Sequence, residues 1–112
     1  MSTPEGKVKI LVRAELTARG AWFFFPPANG FGKAGIPDVV GCYPITITPE
    51  MVGKTIGAFF GIETKAPGKL HTVTELQKMR LEEIKEVGGL AVVVDGVGTL
   101  RDALNEWERH LG

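Results

Sequence analysis

With 112 residues the chain has the length of one ordinary domain, enough for a single core and too short for two. Its hydrophobic (44%) and charged (23%) fractions are those of a soluble globular protein. Zero formal net charge excludes a surface that is basic all over, so any contact with nucleic acid has to come from a local patch.

In chain order, residues 5–19 read as a helix. Val8, Leu11, Val12 and Glu15 fall on one stripe, Leu16 and Ala18 lie beside it, and Gly20 is the stop. Residues 21–25 (AWFFF) form a short aromatic strand broken by Pro26-Pro27, and 27–35 is a loop by composition. Ile36 to Tyr43 reads as a strand with Pro37 near its start, where a missing N–H does least harm. Residues 44–55 are ambiguous: Ile45 to Thr48 alternates like a strand, and Pro49 to Gly53 looks like one helical turn. Residues 56–65 make a further strand and 66–71 a loop.

Thr72 with Glu75 makes a capping box opening a helix to about Val87, with Leu76, Met79, Ile84 and Val87 on its buried side and Leu81 nearby. Gly88-Gly89 ends it. The unbroken apolar run of 90–95 predicts a fully buried strand. Thr99 with Asp102 caps a last helix to Leu111 that turns Leu100, Ala103, Leu104, Trp107 and Leu111 inward. The order α-β-β-β-α-β-α over 1–112 predicts a single α/β domain, a mixed sheet flanked by helices. The lone Cys42 cannot form an internal disulfide, and no Cys/His cluster has zinc spacing. The start MSTPEGKVK has no apolar signal core and no stretch reaches the roughly 18 apolar residues of a membrane span, so a soluble, intracellular protein is expected.

Gly30, Gly32 and Gly35 have the spacing of a dinucleotide-binding loop, but that loop works only when a helix leaves it. Here a strand leaves it, so a flexible glycine loop and no nucleotide cofactor are expected. Asp38, alone, reads as a turn cap, and Glu63 with Lys65 as a solvated ion pair worth little. Together they say more. Side chains alternate along a strand, so Glu63 and Lys65 share a face and Thr64 points opposite. If the strands of Asp38 and Glu63 pair, two carboxylates meet beside a lysine. Close carboxylates repel, and a hard divalent cation, Mg²⁺ or Mn²⁺, relieves the repulsion. Lys65 would then orient a water or stabilise charge on a phosphate.

Pro37-Asp38 followed by Glu63-Thr64-Lys65 resembles the PD-(D/E)xK nuclease signature. The wider frame of GIPDVVGC, GIETKAPGK, Thr74 to Gln77 and Val87 to Val94 resembles the virus-type replication-repair nuclease domain, VRR-NUC, in its stand-alone phage or bacterial form. The resemblance runs from about Glu5 to Val94. It implies a restriction-endonuclease-like α-β-β-β-α-β core, here with a C-terminal helix, and metal-dependent cleavage of branched or otherwise structured DNA, or nicking. It implies Asp38 and Glu63 as metal acids, Lys65 as the catalytic lysine, the Thr64 carbonyl as a further ligand and Gln77 facing the site. It favours Glu5 as the first-helix acid, with Glu15 as the rival because a carboxylate on an apolar stripe needs a reason. It also implies the cytoplasm of a bacterial host.

DNA phosphates would meet Lys33, Lys69, His71, Lys78 and Arg80, with Asn29, Gly30 and Gly32 allowing close backbone approach. His71 reads as a phosphate contact or loop residue and not as the base, since no acid or nucleophile is placed beside it. The segment 44–56 and the aromatic run Trp22 to Phe25 are expected to form a homodimer interface presenting two sites to DNA. The competing readings are a non-catalytic DNA-binding module that keeps the fold and a restriction subunit. Clustered acids that repel DNA count against the first, and the lack of an appended recognition domain against the second.

Overall fold

The computed structural model describes residues 3–27 and 34–111. The first helix, α1 (Pro4–Ala18), starts where Thr3 Oγ1 accepts from the Gly6 N–H at 2.9 Å, with Pro4 in the first turn where its missing N–H costs nothing. Gly20, at φ +79°, turns the chain out of it as the composition predicts. The strands β1 (Trp22–Phe24), β2 (Val39–Cys42) and β3 (Phe59–Thr64) follow, then α2 (Glu75–Glu86), β4 (Leu90–Val94) and α3 (Val97–Leu111). The sheet runs β1-β2-β3-β4 in space, antiparallel except for the parallel pair β3–β4. This is an α/β fold with a mixed four-stranded sheet and three helices, in the order the sequence predicts.

Alternation sorts each strand onto two faces. Phe60 and Ile62 of β3, Val39 of β2 and Val94 of β4 join Val8, Val12 and Leu16 of α1 and Leu100 and Leu104 of α3 in one buried cluster. The other face carries Gly61 and Gly89, against which Ile84 of α2 sits. Gly41 is a fixed point of the first face. A Cβ there would lie 2.1 Å from the Trp22 carbonyl oxygen and 2.8 Å from both the Phe23 Cα and the Phe60 ring. Gly41→Ala is expected to destabilise the fold by about 3 kcal/mol through overpacking. A urea midpoint indistinguishable from wild type would refute this.

Five local expectations change. The capping box of α2 is Thr74 with Gln77, not Thr72 with Glu75: Thr74 Oγ1 accepts from the Gln77 N–H, and Gln77 Oε1 accepts from the Thr74 N–H. Thr72 is already spent, its hydroxyl donating to Lys69 O at 2.7 Å inside the short 3-10 turn Leu70–Thr72. On α2 only Leu81 is buried, while Leu76, Met79 and Val87 are exposed, because the helix packs mainly on β3 and β4 and overhangs them. Leu11 of α1 is likewise exposed. The last helix begins two residues before Thr99, whose hydroxyl turns back to accept from the Asp95 N–H. In 44–56, Pro49–Met51 is one 3-10 turn and Ile45 to Thr48 joins no strand.

The face that α2 covers stays open over β1 and β2. Trp22 (67% exposed), Cys42 and Phe59 lie across three strands in one register line, with Phe24 beside Trp22. No described helix is long and apolar enough to cross a membrane.

Candidate functional site

The antiparallel register pairs Val39 with Ile62, and one step further sets Asp38 beside Glu63. That step is shaped by Gly61. A Cβ on it would meet Pro37 Cγ at 2.8 Å and Ile84 Cδ1 at 2.7 Å, so the buried Pro37 ring fits over the bare backbone and fixes where Asp38 begins. The parallel partner β4 holds the other side: Lys65 N donates to Val94 O at 2.8 Å. Antiparallel and parallel neighbours thus bring Asp38, Glu63 and Lys65 to one sheet end, the place where α/β sheets bind ligands.

Their side chains form one connected set. Asp38 Oδ2 accepts from the Thr64 N–H at 2.8 Å and from the Thr64 hydroxyl at 2.9 Å. Glu63 Oε1 accepts from Gln77 Nε2 at 3.2 Å, and Gln77 Oε1 accepts from Lys65 Nζ at 3.2 Å. Gln77 is therefore the bridge between the lysine and the glutamate, held in place by the capping box of α2. Glu63 is buried (3% exposed), so it does not sit in a solvated ion pair with Lys65, and Thr64 beside it is fully buried (0%).

Burial pushes the Glu63 carboxyl up to about 9, reinforced by a hydrogen bond with Asp38, by the Asp38 charge and, more weakly, by Glu5, with Lys65 opposing. Asp38 moves the other way. Burial raises it, but hydrogen bonds from Glu63, from the Thr64 amide and from the Thr64 hydroxyl, with the Lys9 charge, hold it below the usual carboxylate range. The two shifts diverge, so a proton on the pair favours Glu63 and the negative charge favours Asp38. This matches a further observation: Glu63 Oε2 is buried and no donor reaches it. Ionised, that oxygen would be an orphaned charged acceptor, whereas a protonated carboxyl leaves no buried charge unpaired.

The first helix also faces this pair. Glu5, ion-paired with Lys9 at 3.7 Å, adds to the upward push on Glu63, and Lys9 to the downward pull on Asp38. Glu15 has a different occupation: its two oxygens bind Arg19 Nε at 2.8 Å and Arg101 Nε at 2.9 Å, tying α1 to α3. Among the described residues no group of three or more His, Cys, Asp and Glu side chains is gathered as a metal site, so Glu5 is not drawn into a three-acid cluster with Asp38 and Glu63.

Two carboxylates with a buried, donorless oxygen between charged groups still suit Mg²⁺ or Mn²⁺, which take hard oxygen donors and commonly use one or two carboxylates with water and phosphate oxygens completing the shell. The donor set fits such an ion.

Of the cationic candidates, Lys69 and His71 are exposed and make no ion pair among the described residues. Lys78 is paired with Glu75 at 3.1 Å; Arg80 binds Glu83 at 3.0 Å and the Ala34 carbonyl at 3.1 Å. Lys33, Asn29, Gly30 and Gly32 lie outside the described residues. Three contributors were not read from the sequence. Lys9 sits one turn from Glu5, a spacing that could have flagged it. Asp95 ends the apolar β4 run beside Lys65, and its Oδ2 accepts from the Gly68 N–H at 2.9 Å, clamping the loop that carries Lys69. Alternation turns the Thr64 hydroxyl away from the site, yet it bonds Asp38. Set against protein-family models, characterised proteins and solved structures, the chain matches none.

Proposed function

We propose that the chain is a divalent-metal-dependent DNA endonuclease of the VRR-NUC branch of the PD-(D/E)xK nucleases, hydrolysing phosphodiester bonds in branched or otherwise structured DNA. The observation that carries the reading is the Asp38–Glu63 carboxyl pair joined through Gln77 to Lys65. A pure binding module has no use for a buried glutamate beside a half-buried aspartate, nor for a lysine fixed beside them.

Asp38 and Glu63 would hold the ion, with the Thr64 carbonyl as a further ligand and Glu5 near it. Bound there, Mg²⁺ or Mn²⁺ would supply Lewis-acid polarisation of a phosphate oxygen and lower the pKa of a water. Glu63 would serve as a ligand in its ionised form, its proton passing to solvent as the cation binds. Lys65 presents its ammonium to the oxygen on which charge develops as the P–O bond breaks. Gln77 holds Lys65 and Glu63 at a fixed spacing through its two ends. Burial of Glu63 and Thr64 keeps bulk water from competing.

DNA would reach this corner across Lys69 and His71 on one side and Lys9 on the other, with Lys33 and Lys78 as further phosphate contacts. A homodimer would gather two such modest patches despite zero net charge. Its interface would use the exposed Trp22 and the exposed Ile47 (80%) and Val52 (84%) of the 44–56 segment.

The test uses supercoiled plasmid and synthetic four-way junctions with Mg²⁺ or Mn²⁺, comparing wild type, Asp38→Ala and Lys65→Ala. Wild type should cut, and each variant should lose roughly 10²–10³-fold or more in rate. No cleavage of either substrate by wild type, or equal cleavage by both variants, would sink the assignment. Tight binding without cleavage would point instead to a non-catalytic module.

A further inference from the structure

Thr64 is fully buried at 0% exposure, in the last position of β3 between Glu63 and Lys65. Strand alternation gives its side chain no part in the site, leaving only its carbonyl. The observed bonding is different. Its amide N–H, at 2.8 Å, and its hydroxyl, at 2.9 Å, converge on one oxygen of Asp38, Oδ2. The Asp38 side chain precedes β2, and it has no ladder of its own to fix it. Two donors from one rigid residue supply that constraint. A β-branched side chain is stiff at χ1, so the hydroxyl direction is set by the strand. With Oδ2 accepting twice from Thr64, Oδ1 is the Asp38 oxygen that Thr64 leaves uncommitted.

We propose that Thr64 is a positioning residue for the Asp38 carboxylate: by holding Oδ2 with both its amide and its hydroxyl, it selects Oδ1 as the oxygen that meets a divalent cation. This rests on the metal-dependent reading of the Asp38–Glu63 pair. It extends that reading from the ligands to the residue that aims one of them, the kind of outer support whose loss typically weakens metal binding or activity 10–100-fold.

The test is Mn²⁺ binding to the full chain at pH 7.5 without DNA, followed by the free Mn²⁺ electron paramagnetic resonance signal. Wild type is compared with Thr64→Val, Thr64→Ser and Thr64→Ala. Valine keeps the volume and loses the hydroxyl; serine keeps the hydroxyl and loses the methyl. The expected result is a Kd for Mn²⁺ raised about 10–100-fold in Thr64→Val and close to wild type in Thr64→Ser. A purely packing role predicts the reverse order, with serine worse than valine, and that order would overturn the proposal. If Thr64→Val does not fold, the Ser and Ala variants decide, since they differ only in the hydroxyl, and equal affinities would overturn it. Wild type that binds Mn²⁺ no differently from Thr64→Val removes this proposal alone. Wild type that binds no Mn²⁺ removes the metal-dependent reading with it.

Discussion

Glu63→Gln is expected to cost roughly 10³-fold or more in cleavage while making the metal-free protein more stable at pH 8. The two effects share one cause. Glu63 is held protonated in the fold, its carboxyl pushed up to about 9 from 4.5 by burial and by Asp38. A glutamine reproduces the protonated acid: its amide N–H can donate toward Asp38, and its carbonyl can accept from Gln77 Nε2 as Oε1 does now. It cannot become a negative ligand. The amide also removes the cost of protonating an acid that the unfolded chain leaves ionised at pH 8, a gain of at least about 1–2 kcal/mol. For a domain near this size each kcal/mol moves Tm by about 4–8 °C. Differential scanning calorimetry in EDTA, with a parallel plasmid assay, checks both halves. A Tm lowered at pH 8 would show that Glu63 is ionised and paired in the resting fold.

The wild-type chain should show an unusual stability profile in pH, and a divalent cation should flatten it. Between 4.5 and about 9 the folded Glu63 keeps a proton that the unfolded chain has released. Unfolding then releases a proton, so stability is whole below about pH 4.5 and declines as pH rises through about 9. One such group gives a slope of up to about 1.4 kcal/mol per pH unit. Asp38 has the opposite sign: its carboxyl is lowered from 3.8, so its contribution is present above that value and fades only as pH falls through the lowered one. Without metal, urea midpoints should therefore be higher near pH 5 than near pH 8. With saturating Mn²⁺ the difference should shrink, since binding to the native state alone adds about 2.7 kcal/mol at a hundredfold excess over Kd and competes with the proton. Equal midpoints at pH 5 and pH 8 in EDTA would contradict a shared proton in the pair.

Much of this arrangement is legible in the sequence, and the gaps have physical causes. Element order is readable because apolar periodicity and glycine stops are local signals, as in 5–19 with Gly20 and in the 90–95 run. The acid pair is readable because Asp38 stands just before one apolar strand and Glu63 near the end of the next. The register that sets them side by side is not local. It depends on Gly61 accepting Pro37 and Ile84, a contact between three distant stretches. The misplaced cap shows the same limit: Thr72 and Thr74 have equal local credentials, and only the turn closed by the Thr72 hydroxyl leaves Thr74 as the cap. Burial on α2 fails for a related reason, since a helix that overhangs two strands cannot bury a full stripe. Thr64 escaped because alternation describes side chains within a regular strand, and its partner Asp38 lies just outside one.

Gln77 Oε1 takes hydrogens from both the Thr74 backbone and the Lys65 ammonium. The first of these is an ordinary device for starting a helix, usually worth about 1 kcal/mol. Here the same oxygen also sets where a positive charge stands. Fraying of the first turn of α2 and release of Lys65 are thus one event in free energy. The local opening equilibrium of that helix end fixes how large a fraction of molecules has the lysine in position at any instant.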